Sequence, residues 1–338
     1  MDRNQELFLL VVKEGSFTKA AAAEYMSQQA VSEHIRNLEA LYGVSLFTRK
    51  PRLALTPEGE ILHQALLQIS NKERDVKLRF EQLSKGVIGN INLGMNSSRS
   101  TYLIPAFFAA YKKKFPHVSL SIYSDDTVHM IERLKHGTLD IMFGVSAAFV
   151  PTLDYLHLTD DCIFFIASRR LLRTRAGAGE DDISAWMSDA VPAEVVAKVP
   201  VTMNTKQSTL AALVTRFLAE AYIAPEVALR TSNFHTHLEL CRTHQVAAFL
   251  PTCMIPTVVG FNALFSNPDE KLCVMRLPTD QSKVSLRIDC VLPGGSLAPR
   301  GDPLDALPAF KSTFIRMLRQ TCQACKTAVD QYLAGPQA

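Results

Sequence analysis

Two sets of residues have the types and spacing to do chemistry. Gln28, Gln29, Ser32 and Arg36 share one face of a helix-like stretch. Amide, hydroxyl and guanidinium groups of this kind pair with base edges and phosphates in a DNA major groove. Arg49, Lys50 and Arg52 follow in a short basic stretch suited to backbone phosphates or the minor groove. The second set is Ser97, Ser98, Thr127, Ser208, Thr209 and Asn233. Each stands where a strand-like run gives way to a helix-like one. Free backbone N–H groups and the helix dipole gather at such places and favour an anion. These residue types are also ordinary helix caps. Their recurrence at equivalent places favours one shared ligand site.

Other constellations carry less. Cys322 and Cys325 have the spacing of a redox or metal pair, but they lie in a helical tail with no second pair. His235, His237 and His244 read as surface histidines, and Arg99 as a solvated arginine. No Ser-His-Asp order, glycine-rich phosphate loop or catalytic carboxylate pair stands out, so no enzyme, metal or cofactor is expected.

The elements that position the first set are short helices. Leu7, Leu10 and Val11 recur at helical spacing, and Gly15 marks a stop. Ser16 or Thr18 can cap a second helix, whose alanine run 20–23 permits close approach. Ser27 can cap a third, with Val31, Ile35 and Leu38 as its buried stripe. The basic stretch after Gly43 reads as a hairpin. From Pro57 to Lys85, Leu62, Ile69, Val76 and Leu83 recur every seven residues, with Leu66 and Phe80 on the same seam. Such a stripe seeks a partner helix. That partner is a second copy of the chain or the chain's own body.

Strand-like and helix-like runs alternate over residues 87–300, which implies parallel sheets covered by helices. Ligands in such sheets sit beyond the strand carboxyl ends. Residues 173–200, with Ala176-Gly177-Ala178-Gly179 and the lone Trp186, read as an irregular surface insertion.

The N-terminal block resembles the winged helix-turn-helix of LysR-type transcriptional regulators. The resemblance rests on Gly15-Ser16-Phe17-Thr18-Lys19-Ala20-Ala21, Ser27-Gln28-Gln29-Ala30-Val31-Ser32, Leu46-Phe47-Thr48-Arg49 and the closing Leu55-Thr56-Pro57-Glu58-Gly59. Glu24, Gln29 and Glu33 depart from the usual apolar residue, proline and arginine. Tyr102-Leu103-Ile104-Pro105, Phe115-Pro116-His117-Val118 and Leu134-x-x-Gly137-x-Leu139-Asp140-Ile141 resemble the family's effector-binding domain. His244 and Val246 stand where that domain has glycines.

The resemblance implies a multidomain fold. An all-α winged helix-turn-helix (1–58) leads into a dimerisation linker helix (59–86). An α/β effector domain (87–338) follows, made of two Rossmann-like subdomains similar to type II periplasmic binding proteins. Subdomain one covers about 87–161 and 270–338, and subdomain two about 162–269. DNA would be met by Thr18, Gln28, Gln29, Ser32, Arg36, Arg49, Lys50 and Arg52. Ser98 and Thr127 match family effector positions. The implied partners are double-stranded promoter or operator DNA, a small and possibly anionic effector, a homodimer or homotetramer, and RNA polymerase. A redox sensor using cysteine oxidation on the same scaffold is the alternative.

Composition agrees with this reading. The 338 residues are 47% hydrophobic, enough for sizeable cores, with a net charge of only +3. Affinity for DNA should therefore lean on dimerisation and base contacts more than on bulk counterion release. No apolar run approaches a membrane span, and Met1-Asp2-Arg3-Asn4 has no secretory signature. Seven cysteines at irregular spacing suit a reducing cytoplasm.

Overall fold

A computed structural model describes residues 1–48, 53–85 and 88–334, except the side chains of 78, 79 and 81–85. Arg49, Lys50 and Arg52 lie outside the described residues, as does the side chain of Leu83.

The first unit is built from local signals. Asp2 caps α1 (Arg3–Glu14) through a reciprocal pair of bonds with Gln5, and Gly15 ends it in the left-handed region at φ 59°. Ser16 caps α2 (Phe17–Ala23), and Ser27 caps α3 (Gln28–Tyr42) by accepting from Ala30 N. Val31, Ile35 and Leu38 are fully buried against Leu7, Phe8 and Val11 of α1. Arg3 pairs with Glu24 at 2.6 Å, which accounts for an acid at a position where the family has an apolar residue. β1 (Phe47–Thr48) and β2 (Ala54–Leu55) pair antiparallel as the expected hairpin.

Pro57 opens the 29-residue helix α4 (Pro57–Lys85), roughly 40 Å long at ~1.5 Å per residue. A Cβ on Gly59 would lie 2.2 Å from the Leu46 carbonyl oxygen. Only glycine allows α4 to sit this close to the chain entering the hairpin. The expected seam divides in two. Leu66 is 1% exposed inside the helix-turn-helix core with Leu62 beside it, so these two do not belong to an exposed dimer stripe. Ile69, Val76 and Phe80 are exposed. The polar side of α4 docks on the chain's own body: Arg74 pairs with Asp140 at 2.8 Å, and Asp75 with Lys311 at 3.0 Å.

The α/β part follows the predicted alternation. β3 (Ile88–Gly94), α5 (Ser97–Lys114), β4 (His117–Tyr123), α6 (Thr127–Lys135) and β5 (Ile141–Val145) form a parallel layer. β6 (Leu153–Ser168) is one 16-residue strand running from the first subdomain into the second. A short turn α7 (Arg169–Leu171), α8 (Glu180–Ser188) and α9 (Ala193–Lys198) come next. Then come β7 (Val201–Met203), α10 (Thr209–Glu220), β8 (Val227–Arg230), α11 (Phe234–Arg242), β9 (Ala247–Pro251) and α12 (Ile255–Asn262). β10 (Leu272–Arg276), β11 (Ser285–Pro293) and α13 (Ala309–Ala334) complete the chain. The strand order is β4-β3-β5-β11-β6-β9-β7-β8, with β10 also paired to β6.

Two expectations need correction. The chain does not return to the first subdomain near residue 270. β10 pairs with Phe164–Ser168, in the half of β6 that also pairs with β9, so the return crossing is β11. Residues 173–200 are not an irregular insertion. They hold α8 and α9, and Ile183, Val191, Val196 and Val199 are fully buried in the main core. The left-handed backbone of His244, at φ 61°, fits a place where the family has glycine.

Candidate functional site

The exposed face of α3 is set by its buried stripe. With Val31, Ile35 and Leu38 inward, Gln28, Gln29 and Arg36 are exposed and Ser32 is half-buried beside them. Thr18, at the start of α2, is exposed as well. Arg36 Nε donates to the Ser32 carbonyl, which holds the guanidinium along the helix. The hairpin next to α3 is anchored by Glu39, which accepts from Leu46 N at 2.8 Å.

A cleft of about 340 Å³, open to solvent, lies between the two halves of the α/β part. One wall holds Asn96, Asp125, Asp126, Thr127 and Val145. The other holds Asn204, Thr205, Gln207, Ser208, Thr209 and Phe234. These residues follow strand ends and open helices, the placement that the alternating pattern requires.

The description "LysR substrate binding domain" matches residues 84–264, more than half of the chain. "Bacterial regulatory helix-turn-helix protein, lysR family" matches residues 3–60. The chain belongs to the LysR family of transcriptional regulators. It is 27% identical over 239 residues to the Hca operon transcriptional activator HcaR of Escherichia coli (strain K12), covering 70% of this chain and 77% of that protein. It is 31% identical over 147 residues to a probable RuBisCO transcriptional regulator of Cyanidioschyzon merolae (strain NIES-3377 / 10D), covering 43% of this chain and 48% of that one. The fold is that of ArgP from Mycobacterium tuberculosis, with TM-score 0.61 and 16% identity over 96% of each chain. A full-length CbnR complexed with its target DNA shares it at TM-score 0.51 and 17% identity, over 95% of this chain and 100% of that one.

In this LysR regulator the six expected effector residues divide. Thr127, Ser208 and Thr209 line the cleft. Ser98 is buried and spans it: its hydroxyl donates to the Ser232 carbonyl at 3.0 Å and accepts from Phe234 N at 3.2 Å. It thus ties the start of α5 to the start of α11. Ser97 is exposed outside the lining. Asn233 is exposed and caps α11, accepting from His235 N and Thr236 N. Sequence reasoning missed Asn96, Asp125, Asp126, Asn204 and Gln207. Asp126 could have been found as the cap one place before Thr127.

Arg99 is not a solvated arginine. It is 4% exposed and paired with Asp161 on β6, with its guanidinium stacked about equally between Phe143 and Phe234. Burial opposes that charge, but the Asp161 carboxylate outweighs it and holds the guanidinium protonated.

His237 is not a surface histidine either; it is fully buried. Nε2–H donates to the Thr231 carbonyl at 3.1 Å, which leaves Nδ1 to accept from the Thr202 hydroxyl at 2.8 Å. The neutral ring is satisfied, and burial lowers its pKa from 6.5 to about 4. The unfolded chain takes up a proton on this ring below 6.5 and the folded chain does not until about 4. Stability from this group is therefore present above 6.5 and is lost as pH falls towards 4, by roughly 3 kcal/mol at full extent. His237→Gln should flatten the wild-type decline over that window, read as denaturation midpoints. Parallel declines in the two proteins would remove His237 as the cause.

Proposed function

We propose that this regulator binds a promoter or operator site in double-stranded DNA as a homodimer or homotetramer in the cytoplasm. A small molecule in the cleft between the two subdomains controls it and, through it, RNA polymerase. The observation that carries the reading is the exposed Gln28–Gln29–Arg36 face on a helix whose opposite face is locked in a core. Those groups meet base edges when α3 enters a major groove. Linker-helix pairing sets two such helices about one helical turn, or a multiple of it, apart along the DNA. The cleft supplies the control, because a ligand touching both walls changes the pose of the subdomains.

Gln29→Ala or Ser32→Ala should weaken the specific site by ~1–3 kcal/mol per lost base contact and leave random DNA nearly unaffected. Arg49→Ala and Arg52→Ala should weaken all sequences and flatten the salt dependence. Fluorescence anisotropy on operator and random duplexes reads both. Equal losses on the two duplexes for the α3 variants would remove α3 as the base reader.

The redox alternative is left to Cys162 and Cys325, the two partly exposed thiols, and burial pushes both of these up as well. Cys241, Cys253, Cys273 and Cys290 are fully or almost fully buried, and burial pushes each thiol well above its usual range. The Cys322 thiol is pushed up to about 12, also by burial. Oxidation starts from an accessible thiolate, which these environments disfavour. No helix among the described residues is long and apolar enough to cross a membrane.

A further inference from the structure

Four helix N-termini meet at the cleft, and three of them are already served by the protein. Asn96 caps α5, Asp126 caps α6, and Asn233 together with the Ser98 hydroxyl serves α11. The fourth belongs to α10, a 12-residue helix whose N-cap Ser208 makes no side-chain capping bond. Its first N–H groups and the Ser208 hydroxyl are left for a ligand, and the helix dipole gives that end positive character. Arg230 adds positive charge nearby, with its guanidinium 3.4 Å from the Asn204 carbonyl oxygen.

A second observation marks the same place. Asn204, just before α10, is 4% exposed, lines the cleft, and its Oδ1 has no hydrogen-bond partner. A buried amide oxygen without a donor is costly, so the side chain gains by turning that oxygen, now shut off from solvent, to a ligand N–H in the cleft. The facing wall has the opposite sign. Asp125 and Asp126 are exposed at the cleft; among the described residues His129 is the cation paired with them and offsets at most one of the two charges, while Arg99 on the same wall is paired with Asp161. A simple anion would face both carboxylates. A simple cation would leave α10 unserved.

We propose that the cleft takes a small zwitterion, its anionic group on the uncapped N-terminus of α10 and its ammonium group between the Asn204 amide oxygen and the Asp125–Asp126 carboxylates. The inference rests on the cleft being the effector site, and it assigns the chemical class of that effector. Thr127, expected to meet an anion, lies instead on the acidic wall beside the ammonium end.

Calorimetric titration of the full chain tests it. The probes are a series of α- and ω-amino acids of increasing charge separation, with the carboxylic acids and amines of the same skeletons. At least one zwitterion should bind about tenfold more tightly than either of its single-charge analogues, the scale of one charge-assisted hydrogen bond. Asn204→Leu and the double change Asp125→Asn/Asp126→Asn should each lose about tenfold for that zwitterion. The asparagine at 126 can still cap α6, and melting curves report whether each variant folds. The double change should leave binding of the matched carboxylic acid undiminished or tighter, because it removes the carboxylates that an anion faces. Acids that bind as tightly as their zwitterions, or no binding by any compound, would overturn the inference and leave the cleft reading standing. Gln207→Trp fills the cleft from an exposed position. Compounds that still bind this variant would bring down the cleft reading itself.

Discussion

Arg99→Met should destabilise this regulator by about 3–5 kcal/mol, and Asp161→Leu by a similar amount. Both side chains are about 4% exposed, so removing either strands the other charge in the interior. The surroundings offer little replacement. Cys253 Sγ lies 3.6 Å from the guanidinium, and the second oxygen of Asp161 has no partner. The pair sits where the two subdomains meet, with Arg99 on α5, Asp161 on the crossing strand β6, and Cys253 after β9. The double change Arg99→Met/Asp161→Leu replaces both charges with apolar groups and should recover most of the loss. Urea denaturation of the four proteins closes a thermodynamic cycle. The singles should sum to several kcal/mol more than the double. Additive costs would mean that the two charges are solvated independently and that the buried pair does not exist in solution.

The same pair explains why part of the fold was hard to read from the chain. β6 is continuous from Leu153 to Ser168, yet Asp160-Asp161 interrupts its apolar run. A carboxylate in a strand interior reads as a break unless its partner is known, and that partner lies 62 residues away. From the chain alone the second subdomain therefore starts at Cys162, whereas one strand, β6, serves both halves. Ser98 shows the same difficulty for the site. A serine opening a helix can cap, bind a ligand or bridge, and the type is the same in each case. What decides is the backbone of Ser232 and Phe234, more than 130 residues distant. His237 looked exposed because its spacing is that of a loop and a helix start; Thr202 on β7 supplies its partner.

Structure set by neighbours in sequence is legible in the chain. Ser16, Ser27 and Gly15 work as caps and stop, and the stripe on α3 is buried as its period requires. The linker helix runs over the expected Pro57–Lys85. Its seam failed in part for a geometric reason. At ~1.5 Å per residue a helix of this length runs on past the unit it starts in. Leu62 and Leu66 lie alongside the helix-turn-helix core, while Ile69, Val76 and Phe80 lie ~10–27 Å beyond Leu62 along the axis, past that core.

That division sharpens what a linker variant should do. Ile69→Asp with Val76→Asp should convert the assembled protein to monomers and abolish operator binding, while each monomer stays folded. Ile69 is 43% exposed, Val76 48% and Phe80 66%, and the three line one open apolar groove with Lys72, Glu73 and Lys77 at its edges. A lone chain keeps these side chains in water, so charging them costs it little. A paired helix would have to bury two unpaired carboxylates per chain against apolar partners, which costs several kcal/mol per assembly. Loss of pairing also removes the second α3, and a single helix-turn-helix with no excess of positive charge has little affinity of its own. Leu66→Asp is the contrasting variant. At 1% exposure inside the helix-turn-helix core it should unfold that unit, not separate intact subunits. Sedimentation velocity gives the mass, and circular dichroism the fold. An unchanged mass for the Ile69/Val76 variant would assign assembly to another surface. An Ile69/Val76 variant that unfolds as Leu66→Asp does would mean that the stripe belongs to the chain's own core.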